Sequence, residues 1–555
     1  MRATITLFFA ALTFLLDIGD LMAAPATAPW WQNAVVYQIY PRSYQDSNGD
    51  GIGDLHGITQ RLGYLQAIGI DAVWISPFYP SPMKDFGYDI SNYTDVDPRF
   101  GTLADFDLLT SEAHRRRIKV LLDFVPNHTS DQHPWFQESR SSIGSAKRDW
   151  YIWRHGRAPG GAPNNWRSIF GGSAWELDTQ TAQYFYHAFL QEQPDLNWTN
   201  PEVRAAMLSA MRFWLDRGVD GFRVDAVTQI MEDPMMRDEP VNPNFNSSKD
   251  WDHDRLLHPY TDALPTTHGV IRDMRKLLAS YPGDRLLINE SYLPFDKLVT
   301  YYGTDNEPEA HLPFNFHLIG AAWTPAAIAK LIRDYEAALP KGAWPNWVMG
   351  NHDNHRISTR ISKEQSRIAA MLLLTLRGTP TLYYGDELGL SDSDIPSNLV
   401  QDPVERKDPG KGFGRDPERA PMLWDNTMNA GFTAGKPWLP LDRDFGKLNV
   451  AAQQSNRQSI LSLYQLLLRL RRLTPALTAG DIQLFEAPAE VLAYTRQTPR
   501  SRMLVVLNFS DKAVAVPLGK KVGRIAMTTM LDHVGQKMGK NIDLRPHEGV
   551  VAYLD

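Results

Sequence analysis

Eight short apolar runs recur along the chain, and most are separated by stretches whose apolar residues repeat at helical spacing. The runs are 35–40 (VVYQIY), 72–76 (AVWIS), 119–125 (KVLLDFV), 221–227 (GFRVDAV), 286–289, 312–316, 347–350 and 379–384. Between the first two, Ile58, Leu62 and Leu65 fall on one helical face. Thr102 with Asp105 three residues on reads as a helix start, followed by Leu103, Phe106 and Leu109 on one side. Asn200-Pro201 places a capping side chain before a proline at the first helical position, and that helix is expected to end near Gly218. Strand–helix alternation requires parallel pairing through crossovers. Eight such units predict an α/β protein built on a (β/α)8 barrel.

Two regions break the rhythm. Residues 129–196 are rich in Gly, Pro, Trp and Asn and read as a small domain inserted after the third strand. From 478 to 555, runs such as 491–495 and 503–508 follow one another without helices and predict an antiparallel C-terminal β domain. The barrel is then assigned to 27–128 and 197–477. The length of 555 residues and a hydrophobic content of 43% are enough for this core. A net charge of −7 gives no electrostatic footprint for nucleic acid or an anionic membrane surface. Sixteen tryptophans are a weak pointer to flat sugar-binding faces, and the absence of cysteine means that no disulfide supports the fold.

Barrel enzymes carry their chemistry on the C-terminal ends of the strands. Those ends hold Asp123, Asn127 and His128; Arg223 and Asp225; Glu290; and His352 with Asp353. Three carboxyls, Asp225, Glu290 and Asp353, are therefore expected to converge on one mouth. Arg223 lies two residues before Asp225 and shares its face of the strand, so the guanidinium is expected to keep Asp225 ionised. Glu290 follows the apolar LLI and has anionic neighbours, which favour its protonated form. Carboxyls whose pKa values are pushed apart suit an acid paired with a nucleophile.

DFVPNH (123–128), GFRVDAV (221–227), the Glu of INES (288–291) and the HD of GNHDNH (350–355) resemble the four signature regions of the α-amylase superfamily, glycoside hydrolase family 13. QPDLN (193–197), NNWRSIFGGSAW (164–175) and RAPMLWDNTMNAGF (419–432) resemble its α-glucosidase and oligo-1,6-glucosidase branch. The resemblance implies that Asp225 is the nucleophile, Glu290 the general acid/base and Asp353 a residue that grips sugar hydroxyls. It also implies that His128 and His352 hydrogen-bond the sugar, that Arg223 orients Asp225 and that Tyr88 stacks beneath the ring. Asp85 and Tyr88 are expected to bind the non-reducing end, with Arg419 closing the pocket. A closed pocket admits one glucose and implies an exo-acting enzyme on small α-glucosides. Ala226, after the nucleophile, goes with α-1,4 preference in the family, and a glucosyl-enzyme could also pass glucose to another acceptor. A glucosyltransferase, an isomerase or an α-1,6-preferring enzyme on the same scaffold remains open. A non-enzymatic transporter subunit is disfavoured because all three acids are retained.

DSNGDGIGD (46–54) begins like a calcium loop. An EF-hand needs a bidentate Glu at position twelve, where this chain has Gly57, and a preceding helix in place of a strand. The expectation is a structural Ca²⁺ or Mg²⁺ loop with side-chain oxygens from Asp46, Asn48, Asp50 and Asp54 and the carbonyl of Ile52. At the N-terminus, Arg2, the uncharged run 5–16 and Ala23, Ala24 and Ala26 read as a secretory leader over residues 1–26. The mature protein is expected to be secreted or periplasmic, without a membrane span, and its oligomeric state is left open.

Overall fold

A computed structural model describes residues 28–157 and 160–555, so the leader lies outside the described residues. Eight strands form one parallel sheet: β1 (Val36–Ile39), β2 (Ala72–Ile75), β3 (Lys119–Phe124), β4 (Gly221–Val224), β5 (Leu286–Asn289), β6 (Leu312–Pro313), β7 (Asn346–Val348) and β8 (Thr379–Tyr383). Ladders join β1 through β6 in order, and β7 pairs β8, which pairs β1. Every strand is buried on both faces except at Lys119, as a parallel sheet wrapped by helices requires. No ladder joins β6 to β7. The Asn346 side chain spans that seam instead: its Nδ2 donates to the Pro313 carbonyl, and its Oδ1 accepts the Asn315 N–H at 3.0 Å. One amide thus closes the barrel where the backbone does not.

The crossover helices follow their sequence signals. Helix α1 (Leu55–Ile68) buries Leu55, Ile58, Leu62 and Leu65 against the barrel, and Asp54 caps it by accepting the Gly57 N–H. Helix α2 (Leu103–Arg115) starts on Thr102 and Asp105 in a reciprocal capping box. Helix α3 (Pro201–Asp216) starts with Asn200 accepting the Glu202 N–H. Among the described residues, no helix is long and apolar enough to cross a membrane.

After β3 the chain leaves for a helix (Pro134–Ser141) and a three-stranded antiparallel sheet, Trp153–Arg154, Gln183–Tyr186 and Trp175–Asp178. It has its own small core of Ile152, Trp166, Trp175 and Tyr186. The C-terminal strands form a five-stranded antiparallel sheet and a two-stranded one. Alternation along Val491–Thr498 assigns each side chain to a layer. Val491 and Ala493 pack with Val516 and Ile542 of the small sheet, whereas Leu492 and Tyr494 join the barrel's core. The Tyr494 hydroxyl bonds Thr375 at the end of a barrel helix at 2.5 Å.

Replacing Asn346 with Ala leaves a buried carbonyl and a buried N–H without partners, a cost of about 1–3 kcal/mol each. The thermal midpoint should drop by several degrees with the secondary structure intact. An unchanged midpoint would show that the seam closes without Asn346.

Candidate active site

Strand register sets the site. Asp123 on β3 lies opposite Arg223 on β4, and Val224 lies opposite Asn289 on β5. The next residues along β4 and β5, Asp225 and Glu290, therefore emerge side by side at the barrel mouth. Backbone bonds fix both, Asp225 N–H to the Phe124 carbonyl at 2.8 Å and Glu290 N–H to the Val224 carbonyl at 2.9 Å. Ala226 then turns into left-handed backbone at φ 45°, which aims its N–H at Glu290 Oε2, 3.0 Å away.

Arg223 is fully buried beneath this floor. Its Nη1 donates to Asp123 Oδ1 at 2.7 Å and to Asp225 Oδ1 at 2.5 Å, and its Nη2 lies 2.6 Å from Glu290 Oε1. Its face rests on Trp74, with Cζ 5.0 Å from the ring centre. One cation thus serves three carboxyls. Burial lifts the Asp225 carboxyl well above its usual range, Arg223 opposes the rise, and Glu290 and Asp123 reinforce it. Asp123 is likewise pushed up by burial, to about 6, against Arg223. Arg223 lies against Asp225 as expected, and its guanidinium is shared with Asp123 and Glu290.

Asp353 faces them from the end of β7, with its side chain about a quarter exposed, at 27%. Arg419 Nη2 reaches its Oδ1 at 2.8 Å, Arg415 Nη1 reaches it at 3.3 Å, and His352 Nε2 lies 3.3 Å from Oδ2. Burial works to raise this carboxyl, but His352 and the two guanidiniums outweigh it and hold Asp353 below the usual carboxylate range. Asp353 is therefore held as a carboxylate.

The two histidines are neutral. Burial pushes His128 down to about 4 and His352 well below its usual value. Gln38 Nε2 sits 2.7 Å from His352 Nδ1, and His352 Nε2 is 2.6 Å from the Tyr88 hydroxyl. That hydroxyl donates onward to Asp123 Oδ2 at 3.0 Å. A hydrogen-bonded line therefore runs from β1 through β7 to β3 beneath the pocket.

Seven of the residues expected from sequence, Asp85, Tyr88, His128, Asp225, Glu290, His352 and Asp353, line one cavity of about 570 Å³. Arg223 lies below it. Arg419 is corrected: its side chain is buried behind the wall, bonded to the His352 carbonyl at 2.7 Å and to Asp353, and makes no pair with Asp85. The guanidinium that closes on Asp85 is Arg415, with Nη2 2.7 Å from Asp85 Oδ1 and Nε 2.7 Å from Asp402. The two arginines stand four residues apart in GRDPERAP, so spacing could not choose between them. Gln193 was also missed; it bonds Asp85 at 3.3 Å and His128 at 3.0 Å across the join with the inserted domain. Phe170 and Phe189 of that domain, with Trp251 and Phe413, supply the aromatic wall.

The 46–54 loop packs against 431–438 on the outside of β1. A Cβ at Gly51 would fall on the Lys436 carbonyl, and its φ is +93°, so only glycine fits. Asp46 and Asp54 are buried, Asn48 and Asp50 exposed. Asp46 Oδ1 accepts N–H groups of Asn48 and Gly49, and Asp54 accepts those of Ser47 and Gly57. Two buried carboxylates, a third carboxylate and an amide suit a hard cation in kind.

The alpha-amylase catalytic domain model matches residues 38–480, and the C-terminal domain model of the alpha-amylase SusG matches 491–551. The chain belongs to the α-amylase family of glycoside hydrolases. It is 40% identical over 532 residues to a probable alpha-glucosidase of Rhizobium meliloti, covering 91% of this chain and 94% of that one. It is 38% identical to an oligo-1,6-glucosidase of Parageobacillus thermoglucosidasius, over 87% and 91% of the two chains. The structure of XgtA, an alpha-glucosyl transfer enzyme, superposes with a TM-score of 0.89 at 39% identity, covering 95% of this chain and all of that one. The protein is thus a glycoside hydrolase, and the acid-lined cavity is its candidate active site.

A histidine held near 4 in the fold but near 6.5 when unfolded costs stability as pH falls through that window, because the unfolded chain takes up the proton first. His128→Gln should be less stable than wild type at pH 7, and the gap in melting temperature should narrow as pH falls from 6.5 to 4. A gap independent of pH would mean that His128 is not held neutral.

Proposed function

We propose that the protein is a retaining, exo-acting α-glucosidase that releases glucose from the non-reducing ends of short α-glucosides, with α-1,4 links preferred. The observation that carries this reading is the single guanidinium shared by Asp225 and Glu290. A double displacement needs its two carboxyls about 5–5.5 Å apart, whereas a wider gap admits a water between them and the sugar; two carboxyls on one planar fork suit the shorter spacing. Asp225 attacks the anomeric carbon as nucleophile while Glu290 protonates the leaving oxygen, and Glu290 then draws the proton from the incoming water. Asp353, ionised between Arg415 and Arg419, takes hydroxyls of the bound ring. His128 and His352, both neutral, offer it hydrogen bonds, and Tyr88 supplies a flat face.

The Asp85–Arg415 pair at the inner end supports the exo mode. The pair satisfies itself without substrate and presents a charged, buried wall against which a terminal sugar stops. Ala226 borders the leaving group, and its small side chain leaves room for an α-1,4-linked sugar. The same covalent intermediate could pass glucose to a sugar or alcohol, and the likeness to an alpha-glucosyl transfer enzyme supports that second outcome. A Ca²⁺ or Mg²⁺ ion in the 46–54 loop, held by Asp46, Asn48, Asp50, Ile52 and Asp54, would brace β1 against 431–438 without taking part in the chemistry. Export through the 1–26 leader to a secreted or periplasmic location completes the proposal.

Maltose should be cleaved faster than isomaltose, sucrose or trehalose, and starch should lose glucose only from its ends. Faster turnover of isomaltose would overturn the linkage preference, and rapid internal cutting of starch would overturn the pocket. Arg415→Ala should raise KM more than tenfold and let longer chains slide past the former wall. Unchanged end-cleavage in that variant would remove the pair from the argument. EDTA should lower the melting temperature, with Ca²⁺ or Mg²⁺ restoring it; a melting curve indifferent to all three would exclude the loop ion.

A further inference from the structure

Behind the wall that carries Asp353 and Arg419, three potential ligands meet that the glycosidase chemistry does not use. His355 follows Asp353 by two residues, Asp392 lies beyond β8, and Glu418 immediately precedes Arg419. Among the described residues this is a trio whose ligand atoms all lie within 4.8 Å of one another. His355 Nδ1 stands 2.7 Å from Asp392 Oδ2 and 3.7 Å from Glu418 Oε2. His355 Nδ1 is ion-paired to Asp392, whereas Glu418 Oε2, also buried, has no hydrogen-bond partner. The Glu418 side chain is only 1% exposed, so a carboxylate oxygen is aimed into this space with nothing to receive it.

The surroundings prepare these groups as ligands. His355 Nε2 lies 3.3 Å from the Gly412 carbonyl, which turns Nδ1 toward the two carboxyls; the hydrogen bond to Asp392 raises the imidazole to about 9, so an incoming metal would take the place of the Nδ1 proton. A backbone carbonyl on the far ring nitrogen is the outer support that orients a metal-bound histidine. Asp392 is held in turn, its Oδ1 accepting the Arg356 N–H at 2.7 Å. Burial pushes the Glu418 carboxyl up to about 8, against the opposing pull of Arg419 and His355.

We propose that His355, Asp392 and Glu418 bind a divalent transition metal of the Zn²⁺ class, a site separate from both the sugar cavity and the 46–54 loop. One imidazole and two carboxylates with a water in the fourth position form a set that Zn²⁺ accepts, whereas Ca²⁺ and Mg²⁺ favour all-oxygen shells. Tetrahedral bonds of about 2.0–2.1 Å separate neighbouring donors by about 3.3 Å. The observed 2.7 and 3.7 Å from His355 Nδ1 bracket that value, and all three ligand atoms lie within 4.8 Å, so side-chain adjustments gather the ligands without moving the backbone elements apart. The ion enters from the His355 side, which is 43% exposed. Once bound, it ties the β7 loop, the β8 loop and the Arg415–Arg419 segment into one unit.

The full chain, stripped with EDTA and then kept in saturating Ca²⁺ to satisfy the 46–54 loop, is titrated with Zn²⁺ by calorimetry and melted with and without it. One Zn²⁺ equivalent should bind and raise the melting temperature, and both effects should be lost in His355→Ala and in the near-isosteric Glu418→Gln. In wild type, Cu²⁺ loaded in place of Zn²⁺ should show one coordinated imidazole in its spin-echo spectrum, a readout that requires no variant to fold. No Zn²⁺ equivalent in wild type, the same equivalent retained in folded variants, or Cu²⁺ bound without imidazole would each overturn the site.

Discussion

Three carboxyls and one buried guanidinium dominate the energetics of the barrel mouth. With Asp123, Asp225 and Glu290 all ionised, Arg223 would leave two negative charges in excess at a largely buried site. Breaking a buried ion pair by removing one partner typically costs about 3–5 kcal/mol, and here three partners would be stranded. The register of β3, β4 and β5 makes the arrangement possible, because it sets Asp123 beside Arg223 and delivers Asp225 and Glu290 one residue further along. Crowding of this kind is relieved when one carboxyl holds a proton, the condition that acid–base chemistry on a glycosidic oxygen requires. Electrostatic strain and catalytic readiness are here the same property.

The inserted domain completes what the barrel begins. The chain leaves β3 at Asn127 and His128 and returns through Gln193 and Asp195. Asn127 Nδ2 bonds Asp195 Oδ2 at 2.8 Å, and the Leu196 N–H bonds the Asn127 carbonyl at 2.9 Å. That weld brings Gln193 onto Asp85 and His128, and it sets Phe170 and Phe189 over the cavity. Substrate is therefore gripped between a rigid acidic floor and an aromatic wall on a separate, smaller core. Neutral histidines fit this design, since a charged imidazole beside Arg223, Arg415 and Arg419 would add repulsion to burial.

Much of this was legible in the sequence, and the rest was hidden for identifiable reasons. The eight apolar runs became the eight barrel strands within a residue or two at most ends, and Thr102 and Asn200 cap the helices their spacing predicted. Asp225, Glu290 and Asp353 converge because strand ends are a one-dimensional signal. Long-range pairing is not. Arg415 and Arg419 occupy neighbouring turns of one irregular segment, and only its path through space shows which of them meets Asp85. Sequence adjacency revealed Arg223 beside Asp225 but not that Asp123 and Glu290 share its guanidinium. The left-handed turn at Ala226, which supplies an N–H to Glu290, has no sequence signature, since alanine does not mark such a position.

The central claim is that one guanidinium holds Asp225 and Glu290 close enough for a covalent double displacement. Proton NMR of the glucose released from p-nitrophenyl α-glucoside, whose leaving group is not a sugar, read before mutarotation, tests it directly. The account predicts the α-anomer first, with no burst of either anomer from Asp225→Ala. Initial release of the β-anomer would mean that water attacks in a single step across a wider gap, and would contradict the geometry on which the reading rests.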